Sequence, residues 1–231
     1  MASSSLPMLA RAFGSAAAPV ILHGFPTSST SFLARFALNA KGVKYEQKDL
    51  PLVKRPDGRP DAEGQKPHLD VGDTRVEKPG AIFNFVNENF DGPPLLPADT
   101  KGRAHSRAIA TLCATDVAPY GYYRVTRLLT DKLGVNAEGV EAWHRYWLEN
   151  GFKEIEGLLA AGKFCHGDNV TMADIFVMPQ VHWSQMKSGV LKGGFDLSPF
   201  PQLQKAYQQC LATEAFQKAL PENQPGYAAS L

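Results

Sequence analysis

The stretch Asp91-Gly92-Pro93-Pro94-Leu95-Leu96-Pro97-Ala98-Asp99 divides the chain into two parts that read differently. Proline lacks the N–H that a helix interior or a central strand needs, so a run this rich in it ends whatever precedes it. Every segment with strand character lies on its N-terminal side. Pro19 to His23 is a short apolar run suited to a buried strand, and a turn-rich loop from Gly24 to Ser29 follows. Leu33, Phe36, Ala37 and Ala40 then recur at helical spacing, with Gly42 where a left-handed C-terminal cap belongs. Val43 to Leu50 reads as a second strand and residues 51 to 66 as a mobile connection. His68 to Asp70 and Thr74 to Val76 read as short strands around the turn Val71-Gly72-Asp73, and Pro79 opens a helix through Ile82, Phe83 and Val86.

Beyond Asp99 the pattern is helical alone. Ile109, Leu112, Cys113 and Val117 form one stripe, broken by Pro119 and resumed at Val125, Leu128 and Leu129. Trp143, Trp147, Ile155, Leu158 and Leu159 form another. The strongest local signature is Asp168-Asn169-Val170-Thr171-Met172-Ala173-Asp174. Thr171 suits an N-cap, Asp174 is placed to return a bond to the cap's N–H, and Val170 and Ile175 are placed for a hydrophobic staple. The helix that follows is apolar on most faces, which predicts burial at the centre of the helical part.

Composition narrows the function classes. The 231 residues are 44% hydrophobic and 20% charged, with a net charge of +1, so nothing pulls the chain toward nucleic acid or an anionic membrane. No apolar run approaches the ~18 residues that span a bilayer. Cys113, Cys165 and Cys210 form no C-x-x-C pair and no Cys/His spacing for zinc, and no metal ligands stand out. So sparse and odd a count points to reduced thiols in the cytoplasm. Residues 1 to 18 hold one Arg and no acid among Ala and Ser; they read as a frayed tail or an organelle-targeting extension.

Several separated motifs together resemble the glutathione transferases. Gly64-Gln65-Lys66-Pro67 before a strand is similar to the cis-proline position of their thioredoxin-like domain. Residues 161 to 168 with the capping box resemble the central-helix signature of their helical domain. Ser28-Ser29-Thr30-Ser31, Met178-Pro179-Gln180-Val181 and Pro221-Glu222-Asn223-Gln224-Pro225 resemble the zeta class, which includes the maleylacetoacetate isomerases. The resemblance implies an α/β thioredoxin-like domain over residues 19–90, a linker over 91–99 and an all-α helical domain over 100–231, assembled as a homodimer. It implies glutathione as cofactor, with Ser28 stabilising its thiolate, Ser29 and Thr30 beside it, and Gln65, Lys66, Pro67, Lys78 and Pro79 on the peptide. The implied reaction is cis–trans isomerisation, or thiol addition, on a conjugated unsaturated carbonyl compound. The residues alone also allow Ser28 to Ser31 simply to cap a helix.

The departures from the pattern are specific. Lys78 and Pro79 stand where the family has Gln-Ser, and proline offers neither hydroxyl nor N–H to a γ-glutamyl carboxylate. Losing two such bonds costs on the order of 3–6 kcal/mol if nothing replaces them. Lys78 wants an anion, either Glu77 or a bound carboxylate. Thr30 replaces the class cysteine. Gln185 and Met186 replace the substrate-binding arginines, leaving Lys187 as the nearest cation and implying a substrate other than a small diacid. The segment from His182 to Phe195 is longer than usual, which implies a loop near the substrate entrance. Tyr120, Tyr122 and Tyr123, with His182 and Trp183, either line an aromatic substrate pocket or pack in the core. Two further readings share the scaffold: an isomerase or lyase that works without glutathione, and a non-catalytic ligand carrier.

Overall fold

The computed structural model describes residues 18–50, 53–54, 60–61, 66–159, 161–186 and 190–227. The N-terminal extension and Gln65, Lys187 and most of the connection after Leu50 lie outside the described residues. Strands β1 (Val20–Gly24), β2 (Glu46–Asp49), β5 (His68–Val71) and β6 (Thr74–Glu77) form a mixed sheet in the order β2-β1-β5-β6. Two short strands, β3 (Val53–Lys54) and β4 (Pro60–Asp61), pair separately. The β1–β2 pair is parallel, and α1 (Ser29–Ala40) makes its crossover; the β1–β5 and β5–β6 pairs are antiparallel. Gly42 takes φ 72°, and Val43 N–H donates to Leu38 O at 2.9 Å, the bond a left-handed cap makes. Helix α2 (Pro79–Asn89) starts on its proline and buries Ile82, Phe83 and Val86.

The remainder is helical: α3 (Thr100–Leu112), α4 (Tyr123–Arg127), α5 (Ala137–Leu158), α6 (Met172–Gln185), α7 (Pro201–Leu211) and α8 (Glu214–Ala219). Helix α6 buries eleven of its fourteen residues, as its all-round apolar sequence requires. Asp174 accepts from Thr171 N–H at 2.9 Å and from Cys165 N–H at 2.8 Å, so one buried carboxylate ties the cap to the preceding loop. The proline-rich segment is pinned at its middle residue. Leu95 is buried, its N–H donates to Asn87 Oδ1 at 3.1 Å, and its carbonyl accepts from Met172 N–H at 2.8 Å.

The two parts share one core, in which Leu22, Phe36 and Ile82 join Ile109, Ile175 and Phe216. Arg35 of α1 is wholly buried at their junction. Its Nε donates to Ala219 O at 2.9 Å and its Nη2 to Pro26 O at 3.0 Å, and burial lowers its pKa to about 10 without discharging it at neutral pH.

His144 of α5 is buried with Nε2 unpartnered, and burial pushes its pKa down to about 4. A folded pKa below the unfolded value of ~6.5 means that the folded state binds fewer protons. That contribution is fully present above the unfolded value and is lost as the pH falls toward 4. Going from pH ~7.5 to ~5 should therefore remove about 2 kcal/mol of stability through this residue. His182, also lowered by burial, adds in the same window. Urea denaturation at both pH values should show His144→Leu losing less stability on acidification than the parent; equal losses would refute the assignment.

Candidate active site

The loop between β1 and α1 is set by Gly24, where a Cβ would lie 2.1 Å from Ser31 Oγ. That space lets the buried Ser31 hydroxyl accept from Phe25 N–H at 3.3 Å. Ser28 is the N-cap of α1, with φ −71° and ψ 124°, and its Oγ accepts from Ser31 N–H at 3.2 Å. A hydroxyl oxygen that accepts a capping bond still has its own proton to donate. Capping and anion stabilisation are thus compatible roles of one serine.

A cleft of about 680 Å³ opens where the α/β part meets the helical part. On the α/β side it is lined by Thr30, Lys66, Pro67, Glu77, Lys78 and Pro79. The other wall is the segment from Tyr122 to Lys132, which contributes Tyr122, Tyr123, Arg124, Arg127, Leu128, Asp131 and Lys132. Lys66, Lys78, Arg124, Arg127 and Lys132 outnumber Glu77 and Asp131, so the cleft favours an anion. The Arg124 guanidinium sits 4.7 Å from the Tyr122 ring centre, and that of Arg127 sits 6.0 Å from the Tyr123 ring. Arg127 Nε lies 3.4 Å from Asp131 Oδ2. Burial raises the Tyr122 pKa, which keeps its phenol protonated. A π-helical turn at Cys113–Val117 precedes this wall, and another at Leu128–Lys132 forms its C-terminal end.

Lys78 is the N-cap of α2 at φ 75° and ψ 138°, the one non-glycine with positive φ among the described residues. It makes no side-chain cap bond. Such a backbone costs on the order of 1–3 kcal/mol and collects at functional sites.

Of the residues singled out in the sequence, Thr30, Lys66, Pro67, Lys78, Pro79, Tyr122 and Tyr123 line the cleft together. Ser28 and Ser29 begin α1 beside Thr30 without being part of the lining. Tyr120 lies elsewhere: its ring stacks on Trp147 at 3.7 Å, and its carbonyl accepts from Trp143 Nε1 at 3.0 Å. His182 is buried between the Tyr207 hydroxyl (2.8 Å from Nδ1) and Glu222 (3.1 Å from Nε2). Trp183 packs on His144, and Gln185 Nε2 donates to Phe195 O at 2.8 Å. The described part of the long segment after α6 is not among the residues lining the cleft: Arg145 of α5 holds Lys192 O and Gly194 O at 3.1 and 3.3 Å. The cis peptide expected at Pro67 is trans; the trans form is favoured by about 0.5–1 kcal/mol, and the Lys66 carbonyl is held by His68 Nδ1 at 2.9 Å.

A family model described as the glutathione S-transferase C-terminal domain matches residues 137–208. A probable maleylacetoacetate isomerase of Vibrio cholerae is 31% identical over 89% of this chain and 97% of its own. The chain belongs to the zeta class of the glutathione transferase family. Its fold overlays the holo structure of a maleylpyruvate isomerase, described as a bacterial zeta-class transferase, with TM-score 0.79 and 32% identity over 89% of this chain and 98% of that one. A maleylacetoacetate isomerase from Methylobacterium extorquens, solved with malonate and glutathione, gives TM-score 0.79 and 29% identity over 89% and 98%.

In this transferase the sequence reading missed Arg124, Arg127, Asp131 and Lys132. Their signal was present. Positions 124, 127, 128 and 131 fall on one helical face, and a stripe carrying two arginines and an aspartate is a wall facing solvent or ligand. Leu128, read as core, is 52% exposed at that wall. The C-terminal motif does structural work: Asn223 Nδ2 donates to Gln217 O, and Gln224 Nε2 to Lys218 O and Leu220 O, all at 2.8 Å. These carbonyls lie at and just past the end of α8, where the helical ladder runs out.

Proposed function

We propose that this protein is a glutathione-dependent cis–trans isomerase of a carboxylate-bearing, conjugated unsaturated carbonyl compound. The observation that carries the reading is the cation-lined cleft at the seam, with the start of α1 on one wall and Tyr122, Arg124 and Arg127 on the other. Glutathione supplies a thiolate that adds reversibly to a conjugated double bond, so that the bond can rotate. The residues present suit that ligand. The N–H groups and positive end of α1 with the Ser28 hydroxyl favour a thiolate, and Lys66 and Lys78 are within the cleft for its carboxylates. Arg124 and Arg127 supply the cations that the sequence after Val181 lacks, so a carboxylated substrate is retained in the reading, and the tyrosine faces suit a flat conjugated system.

The test is turnover of a maleylpyruvate-type substrate with and without glutathione, followed by loss of the cis-enone absorbance. Millimolar glutathione that neither binds nor supports turnover would sink the proposal. Arg124→Ala should lower kcat/KM by roughly 10–100-fold, mostly through KM, as expected for one charge-assisted contact of about 1.5–3 kcal/mol. A second reading rests on the strained Lys78: an isomerase that uses this amine without glutathione would keep its activity through dialysis and lose it in Lys78→Ala. Homodimeric assembly belongs to the first reading, and a monomer's mass in solution scattering would contradict it.

A further inference from the structure

Strand alternation places a second constellation on the sheet face turned away from the core. In the β1–β5 register Leu22 pairs with Leu69, and both are fully buried. The next pair, His23 with His68, therefore projects from the opposite face, as does Asp70 two residues along β5. One donor atom from each of His23, His68 and Asp70 lies within 4.8 Å of the other two.

His68 already presents a free lone pair of the kind a metal ion needs. His68 Nδ1 lies 2.9 Å from Lys66 O, which only accepts, so Nδ1 carries the proton and Nε2 the lone pair. That Nε2 is buried and has no hydrogen-bond partner. A histidine anchored through one ring nitrogen to a backbone carbonyl, with the other free, is the usual arrangement of a metal-ligating imidazole. Arg75 donates to both Asp70 oxygens, at 2.9 and 3.0 Å, which fixes the carboxylate's orientation and leaves each oxygen a further lone pair. His23 Nε2 stands 3.2 Å from Asp70 Oδ2, which only accepts, so this nitrogen carries a proton that the ion displaces on binding.

We propose that His23, His68 and Asp70 form a binding site for a divalent transition metal of the zinc type, with water in the open position. Two imidazoles and one carboxylate select such an ion over magnesium or calcium. Ligands of a tetrahedral ion with bonds of about 2.0–2.1 Å stand roughly 3.3 Å apart. The His23–Asp70 separation already meets that spacing, and the 3.9 Å from His68 Nε2 to Asp70 Oδ2 has to close by about half an ångström. The imidazoles are stacked at 4.4 Å and 12°, so their lone pairs run side by side. Binding turns the His23 ring, whose side chain is partly exposed, while the Lys66 carbonyl keeps His68 in place. Because Lys66 and Pro67 line the cleft, a bound ion would stiffen that wall. None of the three ligands lines the cleft, so a failed zinc titration would leave the proposed reaction to its own test.

The experiment is calorimetric titration of chelator-treated full-length protein with zinc chloride alone. The expected result is one equivalent per chain with micromolar or tighter affinity, and a tenfold or larger weakening in His23→Asn and in His68→Gln. Zinc at a hundredfold excess over its Kd should also raise the parent's Tm by roughly 5–10 °C. His166→Asn, which removes the His105–His166 contact at 2.9 Å, should leave binding unchanged. His23 is the more exposed ligand, so its variant keeps the test decisive if His68→Gln fails to fold. No saturable binding at millimolar zinc, or binding that His23→Asn leaves intact, would overturn the proposal.

Discussion

Asp174→Ala is expected to destabilise the protein by about 3–5 kcal/mol. The carboxylate is wholly buried and takes three bonds: Cys165 N–H at 2.8 Å, Thr171 N–H at 2.9 Å and the Thr171 hydroxyl at 3.1 Å. Truncation removes the cap interaction, worth about 1 kcal/mol, and strands two buried N–H groups at about 1–3 kcal/mol each. The packing around the cap spreads the damage. Val170 packs against the core that contains Ile175, and the N–H of Met172 holds the Leu95 carbonyl. A chain of this size shifts by about 2–4 °C per kcal/mol, so Tm should fall by at least 6 °C. Asp174→Asn keeps an acceptor for one N–H and should lose less. If thermal melts show Asp174→Ala within a degree or two of the parent, the capping loop does not carry the stability assigned to it.

What the sequence made legible follows the range of the interactions. Gly42, Pro79 and the Thr171/Asp174 box depend on neighbours within a few residues, and each ends or begins its helix where local chemistry says it must. His182 and Gln185 were read as substrate contacts because their partners, Tyr207, Glu222 and Phe195, lie ten or more residues away and nothing local announces them. The tyrosine group shows the same limit at closer quarters. Tyr120 sits within a 3₁₀ turn over Ala118–Gly121 and turns onto Trp147, whereas Tyr122 and Tyr123, just past the turn, face the cleft. The His23–His68 pairing needed the strand register, which neither strand encodes alone. Arg124 and Arg127 were overlooked for a different reason: the apolar stripe through Val125, Leu128 and Leu129 suggested core, whereas Leu129 alone of the three is buried.

The double change Lys78→Gln with Pro79→Ser is expected to tighten glutathione binding about a hundredfold. Both positions line the cleft at the start of α2, where helix geometry leaves N–H groups aimed outward. Proline at 79 removes the first of these donors and brings no hydroxyl. Serine restores an N–H and an O–H, two donors to a carboxylate held at the positive end of a helix. Gross, these are on the order of 3–6 kcal/mol, and solvent competition together with the lost Lys78 charge brings the net toward half of that. The backbone at 78 already has φ 75°, so a glutamine there meets the same strain and the change acts through the ligand contacts. Pro79→Ser alone separates the contributions, since it adds the donors while keeping the Lys78 ammonium. Calorimetric titration of the parent and both variants with glutathione reads the difference. Equal affinity across all three would mean that neither Lys78 nor the Pro79 departure bears on glutathione binding.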